Sequence, residues 1–166
     1  MAVDTAKSKD RRSLRFQAIR DMRHDLEQIE NAHASGSLRR SGNWTEGEIL
    51  THLAAFIEFG YNGFPKEVSP PWLLAVLFIR PRRGKYLREG MPAGIKIPGA
   101  KRGTVGMEDV PVEKGLGRLR EALDRLEKTN PPIESPAFGP MTHDQKIKLA
   151  LRHAELHLGF LHPEHP

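Results

Sequence analysis

Thr142-His143-Asp144-Gln145-Lys146-Ile147-Lys148-Leu149-Ala150-Leu151-Arg152-His153-Ala154-Glu155-Leu156-His157-Leu158-Gly159-Phe160-Leu161 is the stretch on which the fold turns. Thr142-x-x-Gln145 is a capping box, in which two side chains satisfy orphan backbone N–H groups reciprocally, so it starts a helix. The helix runs to about Leu161, before Pro163. At about 100° per residue, Leu149, Ala150, Leu156, Phe160 and Leu161 share one arc, and His153 and His157 lie in its middle. Gln145, Lys148, Arg152 and Glu155 gather on the opposite arc. That arc predicts a solvent face, with Glu155 as a surface salt-bridge partner.

Three more helical patterns precede it. From Gln17 to Ala34, the residues Ala18, Ile19, Met22, Leu26 and Ile29 form one stripe, stopped by Ser35-Gly36. A second capping box, Thr45-x-x-Glu48, opens a helix whose face carries Ile49, Leu53, Phe56 and Gly60; Gly60 and Gly63 end it. After Pro111, a narrow seam of Val112, Leu116, Leu119, Leu123 and Leu126 runs to Asn130-Pro131-Pro132. No period-2 strand pattern and no internal repeat appears. The reading is all-α: a four-helix bundle with a long crossover, residues 61–110, between helices two and three, which departs from simple up-down-up-down order. Within the crossover, Pro70-Pro71 precedes the apolar run Trp72–Ile79, a short extra helix expected to pack onto the bundle. Its other use would be to dip into a membrane surface beside the basic residues that follow. The expected organisation is a flexible N-terminus at 1–12, one domain over 13–162 and a tail at 163–166.

The 166 residues include no cysteine, and counting glycine brings the apolar share to about 46%, ordinary for one globular domain. Disulfide frameworks, thiolate metal sites and cysteine nucleophiles are excluded, and a reducing, cytoplasmic setting is expected. No run spans a membrane and no apolar signal segment is visible near Met1. The net charge of +5 is local. Residues 79–103 carry eight basic side chains (Arg80, Arg82, Arg83, Lys85, Arg88, Lys96, Lys101, Arg102) against Glu89. The segment is therefore +7 and the remainder of the chain −2. With Tyr86 as its lone aromatic, it reads as a solvated loop before a nucleic-acid site. Gly99-Ala100-Lys101-Arg102-Gly103-Thr104 lacks the spacing of a P-loop.

The chemistry lies in the eight histidines. His153 and His157, at i and i+4, stand one above the other on a helix. His52 sits on helix two with Ile49, Phe56 and Phe59 within about 60° of it, so it too points inward. Three core-facing imidazoles on two helices match a three-histidine metal site with an open coordination position. The competing reading makes each a core histidine bonded to a hydroxyl or carbonyl. The zincin pattern is excluded, because Ala154 occupies the place of its general-base glutamate. His33, in the last turn of helix one, is a distant candidate for a fourth ligand. His24 lies on a polar face and His143 in a first turn, while His162 and His165 belong to a Pro-rich tail expected to fray.

Asn43-Trp44-Thr45-Glu46-Gly47-Glu48-Ile49-Leu50-Thr51-His52-Leu53, with Leu151-Arg152-His153-Ala154-Glu155-Leu156-His157-Leu158 about a hundred residues later, resembles the DinB/YfiT-like superfamily. Within it, Leu14-Arg15-Phe16, Gly63-Phe64-Pro65, Gly90-Met91-Pro92 and Phe138-Gly139-Pro140 are similar to a bacterial family of unknown function. The resemblance covers about Arg11 to Leu161. It implies a four-helix bundle holding a divalent metal, zinc or nickel, on His52, His153 and His157, commonly as a homodimer. It also implies a metal-dependent hydrolase or a thiol-dependent transferase acting on an unidentified small molecule. In the latter case a low-molecular-weight thiol must come from outside, since the chain has none of its own. Nucleic acid is not implied. The alternative is a non-catalytic bundle that binds an anionic partner, nucleic acid or anionic lipid, through the basic 79–103 segment.

Overall fold

Three of the four long helices begin where a side chain accepts or exchanges hydrogen bonds with the first backbone N–H groups. The computed structural model describes residues 7–100 and 102–164. In chain order the elements are α1 (Ile19–Ala34), β1 (Leu38–Arg40), α2 (Glu46–Asn62), α3 (Trp72–Leu74), α4 (Arg83–Glu89), α5 (Val112–Lys128), α6 (His143–Leu158) and β2 (Leu161–Pro163). The Asp21 carboxylate accepts the Gln17 and Ala18 N–H groups at 2.7 and 3.0 Å, which starts α1. Both capping boxes form: Thr45 with Glu48 at 3.2 and 2.9 Å, and Thr142 with Gln145 at 3.3 and 3.1 Å. Pro111, whose missing N–H costs nothing at a helix start, precedes α5.

Among the described residues the regular structure is helical apart from one short ladder and an isolated bridge between Ser135 and Gly139. Leu26 and Ile29 of α1, Leu50 of α2, Leu119 and Leu123 of α5 and Leu158 of α6 have no more than trace exposure and share one core. A smaller cluster around Leu87, Phe138 and Leu149 packs the crossover's α4 against α6. The helix read to Leu161 stops at Leu158, and the chain then turns into β2. There Leu38 faces Pro163, Arg39 faces His162 and Arg40 faces Leu161 in an antiparallel ladder. Three-residue strands are too short to show alternation, so this pairing left no period in the sequence. His162 is consequently held, with its Nε2 2.9 Å from Ser41 Oγ, instead of fraying. His165 lies outside the described residues, as do residues 1–6. Further along the N-terminal segment, Asp10 pairs with Arg39 at 2.7 Å. The Arg12 guanidinium grips Asp25 at 2.6 and 2.9 Å and donates to the Leu158 carbonyl at 3.1 Å.

Two further expectations are corrected. Arg152 and Glu155 do not face solvent; both are buried, at 2% and 8% exposure. The Leu14-Arg15-Phe16 arm lies across their side of α6. The Phe16 N–H donates to Glu155 Oε1 at 2.6 Å, Arg152 donates to the Phe16 carbonyl, and Arg152 and Glu155 pair at 2.9 Å. Burial pushes the Glu155 carboxyl upward, against the pull of the Phe16 N–H and Arg152. Glu155 does form a salt bridge, but a buried one, because an arm that no helical wheel contains covers it.

The second correction concerns Trp72–Ile79. The run is helical but does not pack down: Ala75 is buried and Ile79 partly so, while Trp72, Leu73, Leu74, Leu77 and Phe78 are all exposed. Nor does the helix end at Ile79. A π-helical turn (Ala75–Ile79) and a 3-10 turn (Arg80–Arg82) carry it into α4. The π turn sends the Arg80 N–H back to the Ala75 carbonyl, so Pro81, which lacks an N–H, is absorbed without breaking the run. Arg82 donates to the Phe78 carbonyl at 2.8 Å.

Glu155→Ala strands the Arg152 guanidinium in the interior. It is expected to lower stability by about 3 kcal/mol or more in urea unfolding, because a buried charge loses its partner. A loss below about 0.5 kcal/mol would show that the arm does not clamp α6.

Candidate metal centre

His52 lies on α2, two turns in from its Thr45 cap, and His153 and His157 lie on the last turns of α6. The packing of these helices brings the three rings together. His153 Nε2 is 3.2 Å from His52 Nε2 and 3.1 Å from His157 Nε2, and the three candidate ligand atoms all lie within 4.8 Å of one another. A tetrahedral ion with metal–nitrogen bonds of roughly 2.0–2.1 Å sets nitrogen–nitrogen edges of roughly 3.3–3.4 Å. The two observed edges are close to that.

Hydrogen bonding aims the donors. His52 Nδ1 is 2.8 Å from the Val105 carbonyl oxygen. A carbonyl only accepts, so Nδ1 carries the proton and the neutral ring turns a lone pair on Nε2 toward the other histidines. His153 Nε2 has a single in-plane site and can serve one of its two neighbours at a time. The three rings therefore do not close a hydrogen-bond network, whereas a cation at their centre would satisfy all three. His153 Nδ1, on the ring edge away from the cluster, is buried with no partner among the described residues. Burial lowers the pKa of all three rings. For His153 the neighbouring imidazoles push further the same way, and for His157 so do His52 and Arg11. Neutral imidazole is the form that binds a metal.

Aromatic rings wall the cluster. Trp44 stacks on His157 with centroids 4.9 Å apart and meets His52 edge-on at 5.2 Å, while Phe56 lies against His153 at 4.1 Å. His52 and His153 are buried and His157 is partly exposed, so access is from the His157 side.

The end of the crossover straps itself onto α2. Thr51 Oγ1 donates to the Glu108 carbonyl at 3.1 Å and accepts the Glu108 N–H at 3.0 Å, and Arg102 pairs with the buried Glu48. That pairing holds the Glu48 carboxyl below its ordinary range. Two glycines permit the approach. A Cβ on Gly47 would fall 1.9 Å from the Val110 carbonyl oxygen. Gly106, at φ +78°, would place a Cβ 2.5 Å from that of Ala55. Both contacts hold the strap that carries Val105, for which the sequence offers no signal because a backbone carbonyl has no residue signature. Trp44 was visible within the resemblance, though not its stacking role.

The other described histidines stay outside. His33 Nε2 sits 3.3 Å from Glu113, His24 lies 3.2 Å from Gln28 on the surface, and His143 Nε2 reaches the Leu126 carbonyl at 2.6 Å. His33 is thus no fourth ligand. The basic segment is not wholly solvated loop: Arg83 donates to the carbonyls of Phe138 and Pro140 at 3.0 and 2.6 Å, and Arg102 binds Glu48. Lys101 lies outside the described residues.

The fold and site define a helical bundle with a cluster of three inward-facing imidazoles. A family model described as a protein of unknown function (DUF1569) matches residues 8–164, and the chain belongs to that family. Neither the search of curated proteins nor that of solved structures returns a match.

Two outcomes test the site's construction. The folded histidines titrate below their ordinary value of 6.5, so the unfolded chain takes up more protons as pH falls through that value. The metal-free protein should therefore hold its stability at about pH 7.5 and lose it by about pH 5.5, less steeply in His153→Gln. A Tm that rises on acidification would contradict this burial. Gly106→Ala should cost about 1–2 kcal/mol or more in thermal unfolding from the left-handed backbone alone. By displacing Val105 it should also weaken metal binding by about 10- to 100-fold in titration calorimetry.

Proposed function

We propose that His52, His153 and His157 hold a divalent metal, zinc or nickel, and that the centre serves a metal-dependent hydrolase or thiol-dependent transferase acting on a small molecule. The observation that carries the reading is the convergence of the three Nε2 atoms, with one lone pair aimed by Val105. The residues' own tasks follow from their positions. His52 and His153 grip from the buried side, and His157 completes the grip at the accessible edge. Trp44 and Phe56 restrict ring rotation and exclude water from two sides. When bound, the metal lowers the pKa of a coordinated water or external thiol toward neutrality.

Three donors leave a tetrahedral ion one position, which is the arrangement of catalytic sites and not of closed structural ones. The resemblance to DinB/YfiT-like bundles supports the same assignment. It alone supports a homodimer and a low-molecular-weight thiol as co-substrate. The absence of cysteine is what requires that thiol to come from outside and favours a reducing, cytoplasmic setting. Among the described residues no helix is long and apolar enough to cross a membrane.

Metal analysis of protein purified without a histidine tag checks the assignment. About one equivalent of zinc or nickel should be retained after dialysis, and metal loading should raise Tm. His52→Ala should abolish retention while circular dichroism stays helical. Less than about 0.1 equivalent, unchanged after adding Zn²⁺ or Ni²⁺, would overturn it.

A further inference from the structure

We propose that the outer face of the 72–89 helical stretch docks this protein onto an anionic membrane surface, as an interfacial anchor and not a span. The inference is independent of the metal. Trp72, Leu73, Leu74, Leu77 and Phe78 are 69%, 59%, 49%, 55% and 54% exposed, whereas Ala75 on the inner side is 0% exposed. Five large apolar side chains exposed within seven residues are a concentration of the kind that marks an interaction surface. Elsewhere the protein hides such residues well; beyond this run, only Ile95 and Ile133 are comparably exposed among the described residues.

The charge around the patch selects the partner. Arg82, Lys85 and Arg88 are exposed on the turns that follow it, with Arg80 half-buried beside them. Glu89 is the one acid between Ser69 and Met107, and it lies 3.7 Å from Lys85. A second copy docking through this face by two-fold symmetry would cover the apolar side chains but supply no anionic partner for Arg82, Lys85 and Arg88, since Glu89 is the one acid nearby. Nucleic acid would take up the cations and leave Trp72, Leu77 and Phe78 with nothing to cover them. An anionic bilayer satisfies both halves at once. The apolar side chains enter the acyl boundary, the Trp72 indole sits at headgroup level, and the cations meet lipid phosphates. The crossover's π turn and Pro81 matter here, because they keep apolar face and cations on one continuous helical body.

The test is co-sedimentation of the full chain with vesicles of phosphatidylcholine, alone or with about 30% phosphatidylglycerol. Binding to the anionic vesicles should exceed binding to neutral ones by about tenfold or more and fall by about tenfold between roughly 0.05 and 0.5 M salt. It should be accompanied by a blue shift of tryptophan emission that Trp72→Phe abolishes. Leu77→Glu/Phe78→Glu should lose vesicle binding by about tenfold or more, with circular dichroism and metal content unchanged. Absence of vesicle binding would overturn the proposal. So would binding that survives Leu77→Glu/Phe78→Glu, which would be charge attraction alone. A dimer in velocity sedimentation that the same double substitution dissolves would assign the face to a second copy, and vesicle-independent binding to a DNA duplex would assign the cations to nucleic acid; either overturns it.

Discussion

Three neutral imidazoles facing one another inside a helical core are the constraint around which this structure is built. Imidazole nitrogens removed from water need partners, at a cost of about 1–3 kcal/mol each when they lack them. Here the rings are turned toward each other; His52 has its second nitrogen matched by the Val105 carbonyl, while His153 Nδ1 is buried without a partner among the described residues. That one hydrogen bond sets the His52 tautomer and aims its lone pair. It exists because the crossover returns tightly against α2, and the return is tight because Gly47 and Gly106 have no side chains to obstruct it.

The helix that supplies the other two imidazoles is held from both sides. One face of α6 packs toward α2 through the histidines. Its other face carries Arg152 and Glu155, buried under the N-terminal arm and bonded to the backbone of Phe16. A buried ion pair of this sort adds little net stability compared with an apolar pair, yet removing one member is costly. Its use here is positional: it locks the arm to the turn of α6 between His153 and His157. Arg12 adds a second fastening, tying Asp25 on α1 to the last carbonyl of α6. Helix and arm are thus registered to each other at the level of His153 and His157.

Much of this was written in the sequence in forms that local physics can read. The Thr45–Glu48 and Thr142–Gln145 boxes and the leucine seam of α5 placed the helices to within a few residues. The inward phase of His52, His153 and His157 was legible from helical angles alone. What escaped reading depends on non-local partners. Arg152 and Glu155 look like surface residues on a wheel and are buried only because a distant arm covers them. The β1–β2 ladder is too short to carry a period. Trp72–Ile79 looks like a packing helix because apolar runs usually are; the fold leaves its outer face bare. Pro81 looks like a stop and is carried through by a π turn. Val105 acts through a backbone oxygen, which no residue type announces.

Crystals of untagged protein, with anomalous diffraction recorded above and below the zinc and nickel edges, test the central claim most directly. The account predicts one anomalous peak about 2.0–2.2 Å from the Nε2 atoms of His52, His153 and His157, with a fourth, non-protein position open on the His157 side. No peak after soaking in Zn²⁺ or Ni²⁺, with the three rings bonded instead to hydroxyls or carbonyls, would contradict it.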